Sequence, residues 1–373
     1  MKVKDEVSFP GRLGLQQRIL PAYRVAFLDR LAASCTGGLS VFAGEPAKDE
    51  ARGETGGLQL AQHIPATNRH LLRGRAYLCY QEGLLRWLEA WDPAALVVEA
   101  NWRYLSTPRA VTWMHQRGRP VLGWGLGAPA WTGPLAFAGR AAYGLFLRRF
   151  DGLIAYSTQG AEQYARAGFP SQRIFVAANA VLAGPAKPFR RLPASGRELH
   201  VLFAGRLIAR KRVDVLIRAC AAIDPMLRLR IVGDGPERSA LEAQASHLMA
   251  HAEFTGELHA EALAESFRWA DVFVLPGTGG LAVQEAMAHS LPVIVAQGDG
   301  TQSDLVGEEN GWLIPADDEA ALQNALRTAG GETARLNKMG AASFRRVSER
   351  FNIDRMADSF VAALGACRRE GRA

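Results

Sequence analysis

The feature that most constrains the fold of this chain is the stretch from Leu275 to Val295, LPGTGGLAVQEAMAHSLPVIV. An apolar run leads into a turn containing Gly277, Gly279 and Gly280, and a helical pattern and a second apolar run follow. Glycine lets a ligand approach the backbone closely, and the free N–H groups at a helix start attract anions. The stretch predicts strand, loop, helix and strand, with an anion site in the loop. A glycine-rich turn that serves only tight packing is the alternative that this segment leaves open.

Glu285 lies one helical turn beyond the start of the predicted helix at Leu281. A carboxylate at this position can accept hydrogen bonds from sugar hydroxyls. An ordinary solvent-facing helix glutamate is the alternative.

A second candidate site element is the stretch from Val201 to Ala219, VLFAGRLIARKRVDVLIRA. Its apolar strand ends at Gly205, and four cations follow before an amphipathic helix: Arg206, Arg210, Lys211 and Arg212. Cations at a strand–helix junction suit a diphosphate. For Arg210 and Arg212, a solvated run of charge is the favoured interpretation.

Two further segments continue the alternation of strands and helices. Leu227 to Arg238, LRLRIVGDGPER, predicts a strand, a tight turn and a helix, and Ala270 to Pro276, ADVFVLP, predicts the strand before the glycine loop. Alternating strands and helices form a parallel sheet whose ligands bind at the carboxyl ends of the strands. All these loops therefore fall at one edge.

The ordered motifs GRL…KRVD, GDGPER, FTGEL and ADVFVLPG…GGLAVQEAMA…PVI resemble the retaining nucleotide-sugar glycosyltransferases of family 4. The resemblance covers about Leu199 to Val295 and extends more loosely to Leu15–Ala32 and Gly118–Gly127. It implies the GT-B fold, an α/β architecture in which two Rossmann-like domains face an interdomain cleft. It also implies that the last helix crosses back to the N-terminal domain.

The resemblance and the local patterns predict the domain organisation. Residues 1–180 form the acceptor-binding domain, 181–198 a proline-rich linker, 199–350 the nucleotide-sugar-binding domain, and 351–373 the returning helix. In the amino half we expect a strand at Glu6–Phe9, a loop at Pro10–Arg18, a helix at about Tyr23–Ala33, and a loop over residues 45–70. Buried strands are expected at Ala94–Asn101, Pro120–Gly125 and Gly152–Ser157.

The resemblance also implies roles for individual residues. Arg206 and Lys211 stabilise the charge on the β-phosphate, and the Glu285 carboxylate binds ribose hydroxyls. The donor site as a whole comprises Gly205, Arg206, Lys211, Gly233, Glu257, Gly277, Thr278, Gly279, Gly280, Leu281 and Glu285. The nucleotide base is expected near Gly233 to Pro236 and Glu257 to Leu258.

Two positions depart from the family pattern. The family has a glutamate eight residues before the helix glutamate, where this chain has Gly277, so the amides of Thr278 and Gly279 are expected to hold the donor sugar instead. Many relatives have a histidine where this chain has Leu126. In the retaining mechanism of the family, the leaving phosphate accepts the proton of the acceptor on the same face, so the histidine is not essential.

The acceptor side is expected around residues of the amino half. Glu99 and Asn101 follow a buried strand, and a carboxylate there can orient or deprotonate an acceptor hydroxyl. A helix cap or a loop hydrogen bond is the alternative for both. The other candidates are Gln16, Gln17 and Arg18 in the first strand–helix loop, and Trp124, whose ring either stacks on an acceptor or packs in the core.

The net charge of +7 is unevenly distributed. Residues 1–180 hold 21 Lys and Arg against 13 Asp and Glu, whereas the remaining residues hold 23 against 24. A basic amino half suits an anionic membrane, a phosphorylated acceptor or plain solvent. No nucleic-acid-binding motif is present in the sequence, so nucleic acid is not an expected partner.

Four cysteines without paired spacing favour a reducing compartment and no zinc site. The sequence shows no signal-like start and no membrane-length apolar run. A cytoplasmic location is expected, with peripheral contact at the inner face of the membrane as an option. The segment Pro134–Phe150 suits that contact as an interfacial helix, or it is a core helix with basic ends.

The sequence therefore predicts a retaining glycosyltransferase that uses a UDP- or GDP-linked sugar, requires no metal, and acts on a glycan, glycolipid or small-molecule acceptor. Surface polysaccharide synthesis is the expected setting. A natural-product glycosyltransferase and a catalytically degenerate GT-B scaffold are the alternatives, and Gly277 and Leu126 motivate the second. A GT-B epimerase and a dinucleotide dehydrogenase are disfavoured, the latter because no G-x-G-x-x-G fingerprint follows a strand.

Overall fold

The computed structural model describes residues 8–45, 57–72, 74, 77–133, 136–185, 187–188, 198–223, 227–249, 251–331 and 333–368. Contacts divide the chain into two compact units, Met1–Val181 with Ile353–Ala373, and Leu182–Asn352. Most of the predicted linker, residues 181–198, lies outside the described residues.

The first unit is built on an eight-stranded sheet. Its strands are β1 Leu13–Ile19, β2 Leu39–Gly44, β3 Gln62–Leu71, β4 Leu78–Glu82, β5 Ala95–Glu99, β6 Val121–Gly125, β7 Gly152–Ala155 and β8 Ile174–Val176. Their order is β4-β3-β2-β1-β5-β6-β7-β8, and every pair is parallel except β3 with β4. Strands β5, β6 and β7 confirm the three predicted buried strands, whose apolar runs are covered on both faces.

Helices cover both faces of this sheet. They are α1 Val25–Ala33, α2 Leu84–Trp91, α3 Thr107–His115, α4 Ala136–Leu147 and α5 Thr158–Arg166. The last helix of the chain, which is α13 at Ile353–Ala366, also belongs to this unit. Phe360 of α13 packs against Phe27 of α1 and Trp124 of β6, with ring centroids 5.0 and 4.9 Å apart. The predicted return of the last helix to the amino-terminal domain is therefore confirmed.

Two predictions for the amino half are wrong. The segment Pro10–Arg18 is not a loop, because β1 begins at Leu13. Strand β1 was not predicted because Gln16 and Gln17 interrupt its apolar pattern, although both side chains are buried. Of the strand predicted at Glu6–Phe9, residues 6 and 7 lie outside the described residues, and Phe9 makes an isolated bridge to Cys35.

The expected loop over residues 45–70 contains β3, whose mostly exposed side chains give no apolar run. Residues 46–56 of that loop lie outside the described residues. Strands β2, β4 and β8 were not predicted either.

The second unit is built on a six-stranded parallel sheet. Its strands are β9 Leu199–Ala204, β10 Leu227–Val232, β11 Ala252–Gly256, β12 Val272–Leu275, β13 Val293–Ala296 and β14 Gly311–Ile314. They lie in the order β11-β10-β9-β12-β13-β14. The helices are α6 Val213–Ala221, α7 Arg238–Leu248, α8 Ala260–Trp269, α9 Leu281–Ala288, α10 Thr301–Leu305, α11 Glu319–Gly331 and α12 Thr333–Glu349. This doubly wound arrangement confirms the predicted Rossmann-like architecture of the carboxy half.

Candidate functional site

The loops after β9, β10, β11 and β12 meet at the carboxyl edge of the second sheet. The parallel register pairs Ala204 with Val232, so both strands end at the same level. The Gly233 amide donates to the Gly256 carbonyl at 2.7 Å, and the Glu237 amide donates to the Leu207 carbonyl at 3.1 Å. These main-chain bonds hold the loops together at the place where parallel sheets bind ligands.

Glycine is required at several of these contacts because the main chains touch. Gly233 has φ +131°, and a Cβ there would overlap the carbonyl of Gly205. A Cβ on Gly277 would overlap the main chain of Arg210 and Lys211. The glycine loop after β12 therefore packs directly on the turn at Ala209–Lys211 that precedes α6.

The side chain of Lys211 lies between these two loops. Its Cε lies 4.0 Å from the point that a Cβ on Gly205 would occupy, and its ammonium occupies the space of a Cβ on Gly279. Burial lowers the pKa of Lys211, the nearby Arg210 lowers it further, and the carboxylate of Asp299 opposes both effects. A partly desolvated ammonium interacts strongly with an anion that enters the loop.

The other cations of this turn differ in how their charge is matched. Arg206 and Arg210 are exposed, and neither forms an ion pair with the residues that the structure describes. Arg212 pairs with Asp214 at 3.3 Å and also with Asp317. Lys211 also forms no ion pair with the described residues. The charges of Arg206 and Lys211 are therefore available to a ligand, whereas the charge of Arg212 is balanced within the fold.

The glycine loop presents a set of free amides at the start of α9. Gly280 occupies the N-cap position without a side-chain cap. For the N–H groups of Gly279, Gly280 and Leu281, the described residues supply no acceptor. The side-chain amide of Gln302 donates to the Gly279 carbonyl at 2.6 Å and so holds the glycine loop in place. Such a cluster of amides at a helix start binds anions.

One predicted donor contact needs correction. The Thr278 amide donates to the carbonyl of Arg210 at 3.1 Å, so it is not free to hold a donor sugar. Of the two amides expected to replace the missing glutamate, only that of Gly279 is unpaired within the described part of the chain.

Glu285 lies one turn into α9 and is half-buried. Its carboxylate has no hydrogen-bond partner among the described residues, and burial raises its pKa. A desolvated carboxylate of this kind is stabilised by a ligand that donates hydrogen bonds. Vicinal hydroxyls would supply them.

Of the residues expected near the base, Gly233 is within this edge and Glu257 is exposed just after β11. The edge as a whole combines an ammonium, free amides and an unpaired carboxylate. It can therefore bind a polyanion and a diol side by side.

The acceptor-site residues predicted in the amino half do not all lie at an accessible site. Gln16 and Gln17 are only 0% and 3% exposed within β1. The Gln16 side chain donates to Gln81 and accepts from the Glu99 amide at 3.3 Å. Gln81 in turn donates to Asn68 at 2.9 Å. These side chains form an internal network within and beside β1, which corrects the placement of Gln16 and Gln17 in the first strand–helix loop.

Glu99 lies at the end of β5 and is partly buried. Its carboxylate accepts from the Arg18 amide at 3.1 Å and from the Tyr104 hydroxyl, yet burial raises its pKa. The positive charges of Arg18 and Arg24 oppose that rise. The side chain of Asn101 accepts a hydrogen bond from the Arg103 amide at 3.1 Å. This is the loop hydrogen bond given above as the alternative to an acceptor-binding role for Asn101.

Trp124 is 1% exposed and packs in the core, which corrects its assignment to the acceptor site. Arg24, which was not predicted as a site residue, is 3% exposed, and its guanidinium carbon lies 4.2 Å from the centroid of the Trp124 ring. Arg24 also donates to the Tyr156 hydroxyl at 3.0 Å. A basic residue at a helix start gives no sign in the sequence that it is buried.

Within the described residues, no helix is both long enough and apolar enough to cross a bilayer. The same part of the chain brings no three His, Cys, Asp or Glu side chains together in a manner suited to a metal ion.

Comparison with known proteins matches both halves of the chain to glycosyltransferase domains. Residues 23–180 match the glycosyl transferase 4-like domain, and residues 198–329 match the glycosyl transferases group 1 domain.

Two curated relatives align over part of the chain. The D-inositol 3-phosphate glycosyltransferase of Geodermatophilus obscurus is 34% identical over 48% of this chain and 43% of its own length. The GDP-mannose-dependent alpha-mannosyltransferase of Mycolicibacterium smegmatis is 37% identical over 44% of this chain and 43% of its own. The chain thus spans less than half the length of these relatives.

A solved structure resembles the whole chain. Anabaena Alr3699/HepE in complex with UDP has a TM-score of 0.71 at 16% identity, covering 95% of this chain and 99% of that one. Each half matches a glycosyltransferase domain and each sheet is Rossmann-like, so the chain belongs to the family 4-type glycosyltransferases of the GT-B fold.

Proposed function

We propose that the protein transfers a sugar, with retention of configuration, from a nucleoside-diphosphate sugar to a hydroxyl of a glycan or glycolipid. The observation that carries the proposal is the carboxyl edge of the second sheet. There the Lys211 ammonium and the free amides of Gly279, Gly280 and Leu281 suit a diphosphate. The unpaired carboxylate of Glu285 suits the two hydroxyls of a ribose.

The reaction breaks the bond between the anomeric carbon and the β-phosphate oxygen, and forms a bond from that carbon to the acceptor oxygen. The acceptor proton passes to the departing phosphate on the same face, so the nucleoside diphosphate leaves with it. Lys211 and the loop amides, which the packing holds in place before the reaction begins, stabilise the charge that develops on the phosphate, and Arg206 adds a further positive charge there. Leu126, at the position of the family histidine, takes no part.

A UDP- or GDP-linked donor is proposed because of the relatives. One is named as GDP-mannose-dependent, and the structural neighbour was solved with UDP. The donor base is placed near Gly233 and Glu257. The donor sugar meets no side chain at Gly277 and contacts the Gly279 amide instead.

The first unit is proposed to bind the acceptor, with Glu99 as the group that orients its hydroxyl, whose proton then passes to the phosphate. The half-buried Glu99 carboxylate, whose pKa is raised by burial, gains a hydrogen bond from that hydroxyl. Asn101 follows Glu99 in the chain, and the Arg18 amide donates to the Glu99 carboxylate from the neighbouring strand. A surface polysaccharide is the proposed product, and a small natural product is the alternative acceptor.

We propose a cytoplasmic location with peripheral contact at the inner face of the membrane. All four cysteines are buried free thiols, as expected in a reducing compartment.

A catalytically degenerate scaffold is the second candidate function. The family glutamate is absent at Gly277, where the packing leaves no room for a side chain, and Leu126 is 52% exposed where relatives have histidine. In this alternative the protein binds the nucleotide but does not turn it over.

The test that separates the two functions is an assay of hydrolysis and transfer across several UDP- and GDP-sugars and acceptors, with the product configuration determined by NMR. Transfer with retention supports the proposal. An inverted product contradicts the mechanism, and tight nucleotide binding without turnover on any donor favours the scaffold.

We predict that UDP or GDP raises the melting temperature equally with and without EDTA. Cations and amides of the protein match the phosphate charges, so no divalent ion is needed for binding. A ligand that binds only the native state stabilises it, so thermal shift measures the effect. Binding that disappears with the chelator would show that a metal is needed.

We predict that Glu285→Gln weakens nucleoside diphosphate binding by about 1.5–3 kcal/mol, the range for hydrogen bonds to charged groups. Titration calorimetry measures this loss. Unchanged affinity would exclude Glu285 from the site.

The same variant should be more stable than the native chain at pH 7 without ligand. The raised pKa of Glu285 means that the carboxyl stabilises the fold when protonated and loses this contribution as pH rises. The difference in stability should therefore shrink toward pH 4, near the ordinary glutamate pKa of about 4.3.

A further inference from the structure

Helix α4 is apolar on both of its faces, although only one is covered by protein. Tyr143, Gly144 and Leu147 form the buried face. Five residues form the exposed face, which we call the α4 apolar face: Phe137, Ala138, Ala141, Ala142 and Leu145. Arg140 is the one charged residue that α4 exposes beside them. A helix whose other residues are apolar on all sides is normally covered on more than one side.

The exposure of this face is large. Phe137 is 84% exposed and Leu145 is 65% exposed. Residues 137, 141 and 145 are spaced by four, so they form one row along the helix. Contiguous apolar surface of this kind marks an interaction site.

An aromatic pair extends the apolar surface beyond the helix. Trp131 packs against Gly139 of α4 so closely that a Cβ on this glycine would overlap the ring. Trp102, which is 45% exposed, lies with its ring centroid 5.8 Å from that of Trp131. Indole rings are favoured where apolar and aqueous phases meet.

The charge around the helix selects the kind of partner. Helix α4 and the two residues that follow it contain three arginines and no aspartate or glutamate. Arg148 and Arg149 are exposed directly after α4, and Arg140 is exposed within it. Neither Arg148 nor Arg149 forms an ion pair with the described residues. Lipid phosphates complement such a surface, because each basic residue near an anionic membrane contributes about 1 kcal/mol to binding.

We propose that the α4 apolar face docks on an anionic phospholipid bilayer. Phe137 and Leu145 enter the boundary between headgroups and acyl chains, and Arg148 and Arg149 contact lipid phosphates. Apolar insertion combined with electrostatic attraction is the means by which interfacial helices bind membranes. The proposal specifies the surface for the membrane contact proposed above, but it does not depend on sugar transfer.

The test is sedimentation of the full chain with vesicles of phosphatidylglycerol and phosphatidylcholine, compared with phosphatidylcholine alone. The native protein should bind the anionic vesicles and lose most binding in neutral vesicles or at high salt. The double variant Phe137→Ser with Leu145→Ser should bind at least about tenfold more weakly, because two inserted apolar side chains are lost.

Leu248→Ser is the matched control, because Leu248 is a 46% exposed leucine on α7 of the second unit. It should bind vesicles like the native chain. Melting temperature and nucleoside diphosphate affinity are measured on every variant, so that vesicle binding and donor binding are judged separately.

Equal vesicle binding by the double variant and the native protein overturns the proposal, as does an absence of binding to anionic vesicles. A concentration-dependent dimer that the double variant abolishes, without vesicle binding, would show instead that a second copy covers this face.

Discussion

Replacing Lys211 with alanine is expected to lower the turnover number about a hundredfold or more, the usual loss when one fixed electrostatic donor is removed. The Lys211 ammonium lies against Gly279 and faces the amides that α9 leaves unpaired. Its contribution grows as charge moves onto the β-phosphate, so kcat should fall more than substrate affinity. Arg206→Ala should have an effect of the same order. Steady-state kinetics with the best donor found in the screen measures both.

Arg327→Ala is the matched control, because Arg327 is an exposed arginine on α11 of the same unit. Its kinetics should equal those of the native chain. Melting temperatures should change little in the Arg206 and Lys211 variants, because neither side chain forms an ion pair within the described residues. Native turnover in Lys211→Ala would remove this residue from the reaction.

Replacing Gly277 with alanine is expected to destabilise the second unit by about 1–3 kcal/mol or more, the usual cost of overpacking. The added Cβ would overlap the main chain of Arg210 and Lys211, which is less able to yield than a flexible side chain. The glycine loop must then move, so nucleoside diphosphate affinity should fall as well. Gly277→Glu, which restores the family residue, should damage the protein further rather than improve its activity. Denaturant unfolding and calorimetry measure the two effects.

Gly330→Ala supplies the control. Gly330 lies in α11 with nothing within 4 Å of the space for a Cβ, so alanine there should leave stability unchanged or raise it by up to about 1 kcal/mol. If Gly277→Ala proves as stable as the native chain and binds nucleotide normally, the close contact between the two loops is not required.

The carboxy half was predictable because its site is made from main chain. Strand β12 is an apolar run, β9 is mostly apolar and β10 alternates leucine with arginine before two apolar residues. Each of the three is followed by a glycine or a proline–glycine pair. These residues are visible in a sequence because only glycine fits where two main chains touch. The sequence did not show that the Thr278 amide donates to the Arg210 carbonyl, because this hydrogen bond joins residues 68 positions apart.

The amino half was harder to predict because its sheet contains buried polar side chains. The buried Gln16 side chain donates to Gln81, which in turn donates to Asn68 and to the Gln17 carbonyl, and periodicity of apolar residues does not reveal such a network. Arg24 was missed for a similar reason. Its guanidinium is covered by Trp124 and Tyr156, which are distant in the sequence.

The return of α13 to the first unit has a consequence for biosynthesis. Phe27 and Trp124 belong to a core that Phe360 completes, so residues near the start of the chain depend on residues near its end. As the ribosome releases the chain, the second unit is available to fold before the first unit has all of its core. The nascent first unit must keep part of its apolar surface in water until α13 has been synthesised, a state in which chains are prone to aggregate. Truncation of the last helix would make that temporary state permanent.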